Sequence, residues 1–320
     1  MLRPAVDGRR HLLTDETGAR TARIGALCGI GAYVSWGLLP LFLKLLVGVP
    51  PVQILAHRVL WSVLLLVVIV TVVRGWGAVR TACRSRRTLL LLCASAVLIA
   101  VNWLVYIWAV VNGHVLEASL GYFINPLVNV AIGVAVLGER LRPVQMVAVA
   151  IAAVGVAVLA LSGTGALWIS IMLALSFGTY GLVRKVVAVD ALAGLTLETA
   201  LLAPIAAGVL AWAALGGDAP FGAPAFGQSG RIDMLLMTAG VVTALPLLMF
   251  AAAARRMKYA TLGLFQYIAP SLQFAEAVWL FGEPLRTVHL VTFGLIWAGC
   301  ALYAVDTLRA AGAVPATAAE

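Results

Sequence analysis

The chain alternates long apolar runs with short polar, mostly basic connections. Ten runs can be drawn, at approximately 24–47, 52–73, 88–111, 117–137, 144–162, 166–187, 195–215, 231–254, 259–281 and 286–307. Each is about the length a helix needs to cross a bilayer, roughly 20 residues. Continuous runs predict helices, because a lipid-exposed backbone must satisfy its hydrogen bonds within its own segment. A transmembrane barrel would instead show alternating segments of about 10 residues. The pattern therefore predicts an all-α integral membrane protein of ten transmembrane helices. A polar tail precedes them at 1–23, and an Ala-rich tail at 308–320 reads as disordered.

The pattern also repeats. Ser35-Trp36-Gly37 with Lys44 returns as Ser176-Phe177-Gly178 with Lys185, 141 residues on. Ser119-Leu120-Gly121 returns as Thr261-Leu262-Gly263. Pro126, Gly138-Glu139 and Leu141-Arg142 return as Pro270, Gly282-Glu283 and Leu285-Arg286. The chain thus divides into five-helix repeats at 24–162 and 166–307. Five is odd, so the second repeat enters the membrane from the opposite side. Inverted repeats with a site at their interface are a plan of secondary transporters.

Composition agrees: 63% of the 320 residues are hydrophobic and 11% charged, which leaves no room for a sizeable soluble domain. The net charge of +9 would suggest nucleic acid in a soluble protein, but its distribution fits topology instead. Arg74, Arg80, Arg84, Arg86, Arg87, Arg140, Arg142, Arg184, Lys185, Arg255, Arg256, Lys258 and the tail arginines all fall on one side of a ten-span arrangement. Only Arg231 and Arg286 fall in loops on the other. The positive-inside rule then predicts that both termini are cytoplasmic. No C-x-x-C spacing links the four cysteines, and no G-x-x-x-x-G-K-[ST], H-E-x-x-H or G-x-S-x-G motif occurs. ATP-driven transport and the common hydrolase chemistries lose support. No cofactor, metal or nucleic-acid partner is expected; oligomeric state stays open.

Ionisable residues inside spans are costly and usually face a cavity or a partner. The second span carries His57 and Arg58, and the seventh carries Glu198, onto which His57 maps at the shift of 141. The repeats thus place ionisable groups at matching depths. Arg58 could neutralise an anionic substrate group or pair with Glu198, and a carboxylate or imidazole could carry a coupling proton. The alternative is a static Arg58–Glu198 ion pair. Asn102, Trp103 and Tyr106 on the third span, with Trp36 and Tyr180, could wall a cavity; an interfacial aromatic belt would use the same residue types. Asn125 and Gln273 could touch substrate. Pro126, Pro246 and Pro270 are candidate kinks or hinges, because proline removes a helix donor. Glu139 and Glu283, beside Arg142 and Arg286, read as caps or loop salt bridges.

Several strings resemble a known family. Ten spans in two repeats, with Gly-Glu after the fourth and ninth, resemble the EamA branch of the drug/metabolite transporter superfamily. Ile54-Leu55-Ala56-His57-Arg58, Asn102-Trp103-Leu104, Glu117 through Leu127, and Gln266 through Phe274 are similar to its RarD subgroup. The resemblance spans 24–307. It implies the EamA/DMT fold and a carrier or exporter of small metabolites or drugs in the cytoplasmic membrane. RarD proteins are commonly described as chloramphenicol-sensitivity proteins, which names a phenotype rather than a substrate. The expected function is secondary transport by alternating access, driven by protons or by exchange, of an amino-acid-like metabolite or drug. A membrane-embedded enzyme and a channel or sensor are the alternatives.

Overall fold

A computed structural model describes residues 7–138, 140–162, 167–216, 221–254, 256–257 and 265–312. These residues form helices joined by short connections, with no strand among them. The helices are α1 (Asp7–Gly37), α2 (Leu39–Lys44), α3 (Pro51–Val72), α4 (Trp76–Arg84), α5 (Arg86–Val111), α6 (Val115–Leu137), α7 (Pro143–Leu161), α8 (Leu167–Val186), α9 (Ala191–Ala214), α10 (Gly230–Ala254), α11 (Ile268–Ala275) and α12 (Thr287–Gly312). A π-helical turn, Glu276–Leu280, continues α11.

Nine helices among the described residues are long and apolar enough to cross a membrane. Their exposed side chains are largely apolar, as Leu64, Val68, Leu90, Val97, Val154, Ile205 and Trp212 illustrate. In water such a surface would drive aggregation, whereas lipid solvates it. The segment expected at 259–281 is described only from residue 265 onward, where it holds α11 and the π turn. Glu139 and Thr261-Leu262-Gly263 lie outside the described residues.

Two tail expectations change. Helix α1 begins at Asp7, inside the segment read as a polar tail, and α12 continues to Gly312 before the chain leaves the described residues. The polar tail residues can extend a helix already nucleated by a membrane span, because propagation is far easier than nucleation. The apolar pattern also gave no hint of α4, whose Val79 and Ala82 are buried while Arg80 and Arg84 stay exposed.

Prolines account for two interruptions. Pro40 lacks the N–H that would bond the Trp36 carbonyl four residues back, and α1 gives way to α2 at Leu38. Pro270 likewise leaves the Gln266 carbonyl without its donor, and a turn at 266–267 precedes α11. Pro270 therefore sits in the first turn of α11 rather than within a continuous span. Pro126 and Pro246 lie inside α6 and α10, which remain helical around them.

Helix pairs set the scaffold. α1 packs on α10 and α11; α3 on α9 and α10; α5 on α8 and α9; α6 on α8 and α11; and α7 on α12. Helices α7 and α12 approach closely at glycine: a Cβ on Gly299 would stand 2.6 Å from the Ala148 carbonyl oxygen. Small residues permit such backbone contact where apolar burial between helices supplies little drive.

Cores differ between the two ends of the bundle. Away from the termini one cluster joins Leu43, Leu46, Val49, Ile54, Val110, Val115 and Leu116 to Leu236, Ala277 and Phe293. Towards the termini the packing divides. Val70, Val79, Leu92, Val187 and Leu197 form one cluster, and Tyr33, Ala253 and Ala269 form another.

Candidate functional site

Helices α3 and α9 run in opposite directions. Gln53, in the first turn of α3, hydrogen-bonds the segment that follows α9: its Nε2 donates to the carbonyls of Phe221 (2.6 Å) and Ala223 (2.8 Å), and its Oε1 accepts from Ala225 N (2.9 Å). Arg58 and Glu198 each lie seven residues into their helices, roughly 10 Å along the axis. Antiparallel packing therefore puts them in opposite halves of the bundle. The matching depths expected from the repeat are mirrored depths, and the Arg58–Glu198 pair does not form.

Arg58 is 5% exposed. Its Nε donates to Thr243 Oγ1 at 2.5 Å, and its guanidinium lies over the Trp103 ring, 4.6 Å from the centroid. Cation–π contact of this kind strengthens when desolvated. Nη1 is buried with no hydrogen-bond partner, and no carboxylate pairs with Arg58 among the described residues. Tyr106 and Tyr122 lie within its field, with ring centroids 5.5 Å apart. The Tyr106 hydroxyl is also buried and unpartnered. Tyr122 donates to Asn102 Oδ1 (3.2 Å), while Asn102 Nδ2 donates to the Leu173 carbonyl and Ser176 Oγ, both at 3.0 Å. Asn102 thus anchors α5 to α8 and orients Tyr122.

Two further expected residues stand on α6 and α11. Gln273 Nε2 donates to the Trp36 carbonyl at 3.0 Å, the oxygen that Pro40 leaves free. Its Oε1 has no partner, and neither has Asn125 Oδ1; both residues are buried. Trp36 packs edge-on against Tyr33 (5.3 Å) and beside Phe250 (5.8 Å), so it belongs to the α1–α10 contact. Pro246 lines a separate cavity of about 270 Å³ with Ser35, Leu39 and Phe42.

Glu198, only 1% exposed, sits in a different cluster. It accepts from Ser95 Oγ (2.6 Å) and Tyr180 Oη (3.3 Å), and Arg184 Nη1 lies 3.6 Å away. Gly194 makes room for that arginine: a Cβ there would overlap the guanidinium. His57 points elsewhere again, stacking on Phe226 with centroids 5.1 Å apart. Adjacent residues on a helix diverge by about 100°, so His57 and Arg58 cannot share a face.

The structure therefore gathers Arg58, Trp103, Tyr106 and Asn102 into one neighbourhood. It separates His57, and it assigns Glu198 and Tyr180 to Arg184. Sequence reasoning missed Thr243, Tyr122, Ser95 and Arg184. Thr243 was within reach, because it stands 141 residues after Asn102, in the repeat register. Arg184 reads as a loop cation until its helix is placed.

Of the loop residues, Glu283 acts as a cap, one of the two readings given to it, and Arg142 pairs with an acid far along the chain. Arg142 pairs with Asp306 at 2.9 Å. Glu283 accepts from the backbone N–H groups of Val115 (2.9 Å) and Leu116 (2.8 Å) at the start of α6. Burial pushes its carboxyl up, and those backbone bonds pull it down. A helix N-terminus offers free N–H groups and positive potential, which makes it a better partner than exposed Arg286.

The profile of the EamA-like transporter family matches residues 23–161. An uncharacterised transporter of Pseudomonas aeruginosa is 45% identical over 293 residues, covering 92% of this chain and 97% of that protein. Protein RarD of Escherichia coli K12 is 43% identical over 290 residues, covering 91% and 97%. A solved crystal structure, 19% identical, superposes with a TM-score of 0.58 over 89% of this chain and 98% of its own, which shows a shared fold. Apolar helices, a buried polar cluster and these similarities converge: the chain is a multi-pass membrane protein of the EamA-like transporter family, of the RarD type, within the drug/metabolite transporter superfamily.

Proposed function

We propose that this protein is a secondary carrier that moves small metabolites or drugs by alternating access between two inverted five-helix repeats. The single observation that carries the reading is Arg58. It is a buried cation with an unused N–H, an aromatic wall and no protein counter-charge among the described residues. An isolated buried charge is costly, so its retention at the meeting of α3, α5 and α10 fits a ligand that brings the missing anion. Arg58 would hold an anionic group, such as the carboxylate of an amino-acid-like metabolite. Trp103, Tyr106 and Tyr122 would pack its apolar part, and Asn125 and Gln273 would offer acceptors.

Packing supports the repeat. Exchanging α1 with α8, α3 with α9, α5 with α10, α6 with α11 and α7 with α12 turns each helix pair named above into another of them or into itself. A dyad in the membrane plane would act in this way. The continuous core away from the termini and the divided packing near them suit a carrier closed on the external face, with both termini in the cytoplasm of the inner membrane.

Counterflow in proteoliposomes tests the reading, using a labelled panel of amino acids, other metabolites and chloramphenicol. The expected result is saturable exchange in the wild type and its loss in Arg58→Leu. Substrate conversion would indicate an enzyme, and non-saturable flux a channel; either outcome rejects the carrier.

A further inference from the structure

One intramembrane carboxylate has no part in the Arg58 cluster described so far. Glu276 is 8% exposed, and both its oxygens are buried without a hydrogen-bond partner among the described residues. It opens the π-helical turn: Phe281 N donates to the Glu276 carbonyl (2.8 Å), and Glu283 N to the Ala277 carbonyl (2.9 Å). A π turn inserts a residue, widens the helix and occurs frequently at functional sites. Gln273, three residues earlier, is fixed by its bond to the Trp36 carbonyl.

Glu276 lies within electrostatic range of the Arg58 cluster. The Tyr106 hydroxyl lies in the fields of both Glu276 and Arg58. Tyr106 on α5 is within electrostatic range of Glu276, and Lys44 on α2 stands over the Phe281 ring just past the π turn, 4.9 Å from its centroid. Helices α1 and α6, packed directly against this segment, bring no cation to it among the described residues. Glu276 and Arg58 both act on Tyr106 electrostatically and do not pair with each other. An ionised carboxylate held out of water with no donor is strongly disfavoured, and such a group neutralises instead.

We propose that Glu276 is the proton-binding carboxylate of this carrier. It holds a proton while buried, and exchanges it with water when the carrier opens to either face. One proton is taken from one side and released on the other, so substrate movement is coupled to the proton gradient. The coupling rests on the carrier reading above; the protonation does not.

The experiment has two arms. In the first, full-length protein in lipid nanodiscs is treated with dicyclohexylcarbodiimide, an apolar reagent that reacts with protonated carboxyl groups, and digested for mass spectrometry. Label is expected on the Glu276 peptide at acidic and neutral pH, falling as pH rises. It should be absent in Glu276→Gln and retained in Glu117→Gln. No label on Glu276 in monodisperse protein at acidic pH overturns the proposal. In the second arm, proteoliposomes are tested with the amino-acid and chloramphenicol panel. The ratio of pH-driven accumulation to counterflow should collapse in Glu276→Gln and hold in Glu117→Gln. An unchanged ratio in Glu276→Gln overturns the coupling. Labelled Glu276 without wild-type counterflow would reject the carrier reading while leaving the proton site standing.

Discussion

Arg58 and Glu198 stand at corresponding depths of two helices that pack against each other, yet their surroundings treat them in opposite ways. Glu198 is fully engaged: a serine, a tyrosine and an arginine use its oxygens. Arg58 has one hydrogen bond, one aromatic face and a nitrogen left over. Both are buried charges, so burial alone does not separate an anchor from a binding group. The counter-charge does: Glu198 has Arg184 at 3.6 Å, and Arg58 has none among the described residues. That ion pair ties α8 to α9 near the termini, although Arg184 Nη1 makes no hydrogen bond.

The sharpest way to break this comparison is to remove each charge and read both stability and transport. Arg58→Leu should weaken substrate binding by on the order of 4 kcal/mol, as expected for one partner of a buried charged contact, and counterflow should be lost. The thermal stability of the same variant in detergent should hold or rise, because an uncompensated buried charge has gone. Glu198→Ala should do the reverse. It leaves Arg184 without its counter-charge and should lower unfolding stability by about 3 kcal/mol. Part of that loss should return in Glu198→Ala/Arg184→Ala. If Arg58→Leu unfolds the protein and Glu198→Ala does not, the assignment of roles is inverted.

Smaller changes sharpen the contrast. Gly194→Ala drives a methyl into the Arg184 guanidinium and should cost about 1 kcal/mol of stability. That cost should vanish in a Glu198→Ala background, since residues of one network are not additive. Tyr106→Phe removes a hydroxyl that has no partner. Melting should then change by less than about 0.5 kcal/mol, while substrate affinity should fall a few-fold in counterflow titrations.

Much of the fold was legible because lipid imposes a single rule on every span. Runs of the required length located most helices, though α1 starts well before its run. Of the three prolines read as kinks only Pro270 marks a break, and the pattern gave no sign of the break before Pro40. Short amphipathic α4 escaped, because nine residues carrying three charged or polar positions do not register as a membrane segment. At the site, intramembrane position singled out Arg58, Glu198, Asn102 and Gln273, all of which are buried. Their grouping was not legible. The repeat register placed His57 on Glu198 but gave no information on the direction in which either side chain points.

The sequence by itself determined that the chain lives in a membrane, roughly where its helices lie, and which polar residues bear the cost of burial. Those properties follow from hydropathy and spacing along a single chain. Only the tertiary structure decided that Glu198 belongs to Arg184, that Gln273 serves the carbonyl freed by Pro40, and that Arg58 Nη1 and both Glu276 oxygens are buried without a hydrogen-bond partner. Partners are fixed by helix rotation, antiparallel packing and the relative depth of residues far apart in sequence. Hydropathy is the same for a charge that has found its partner and for one that has not.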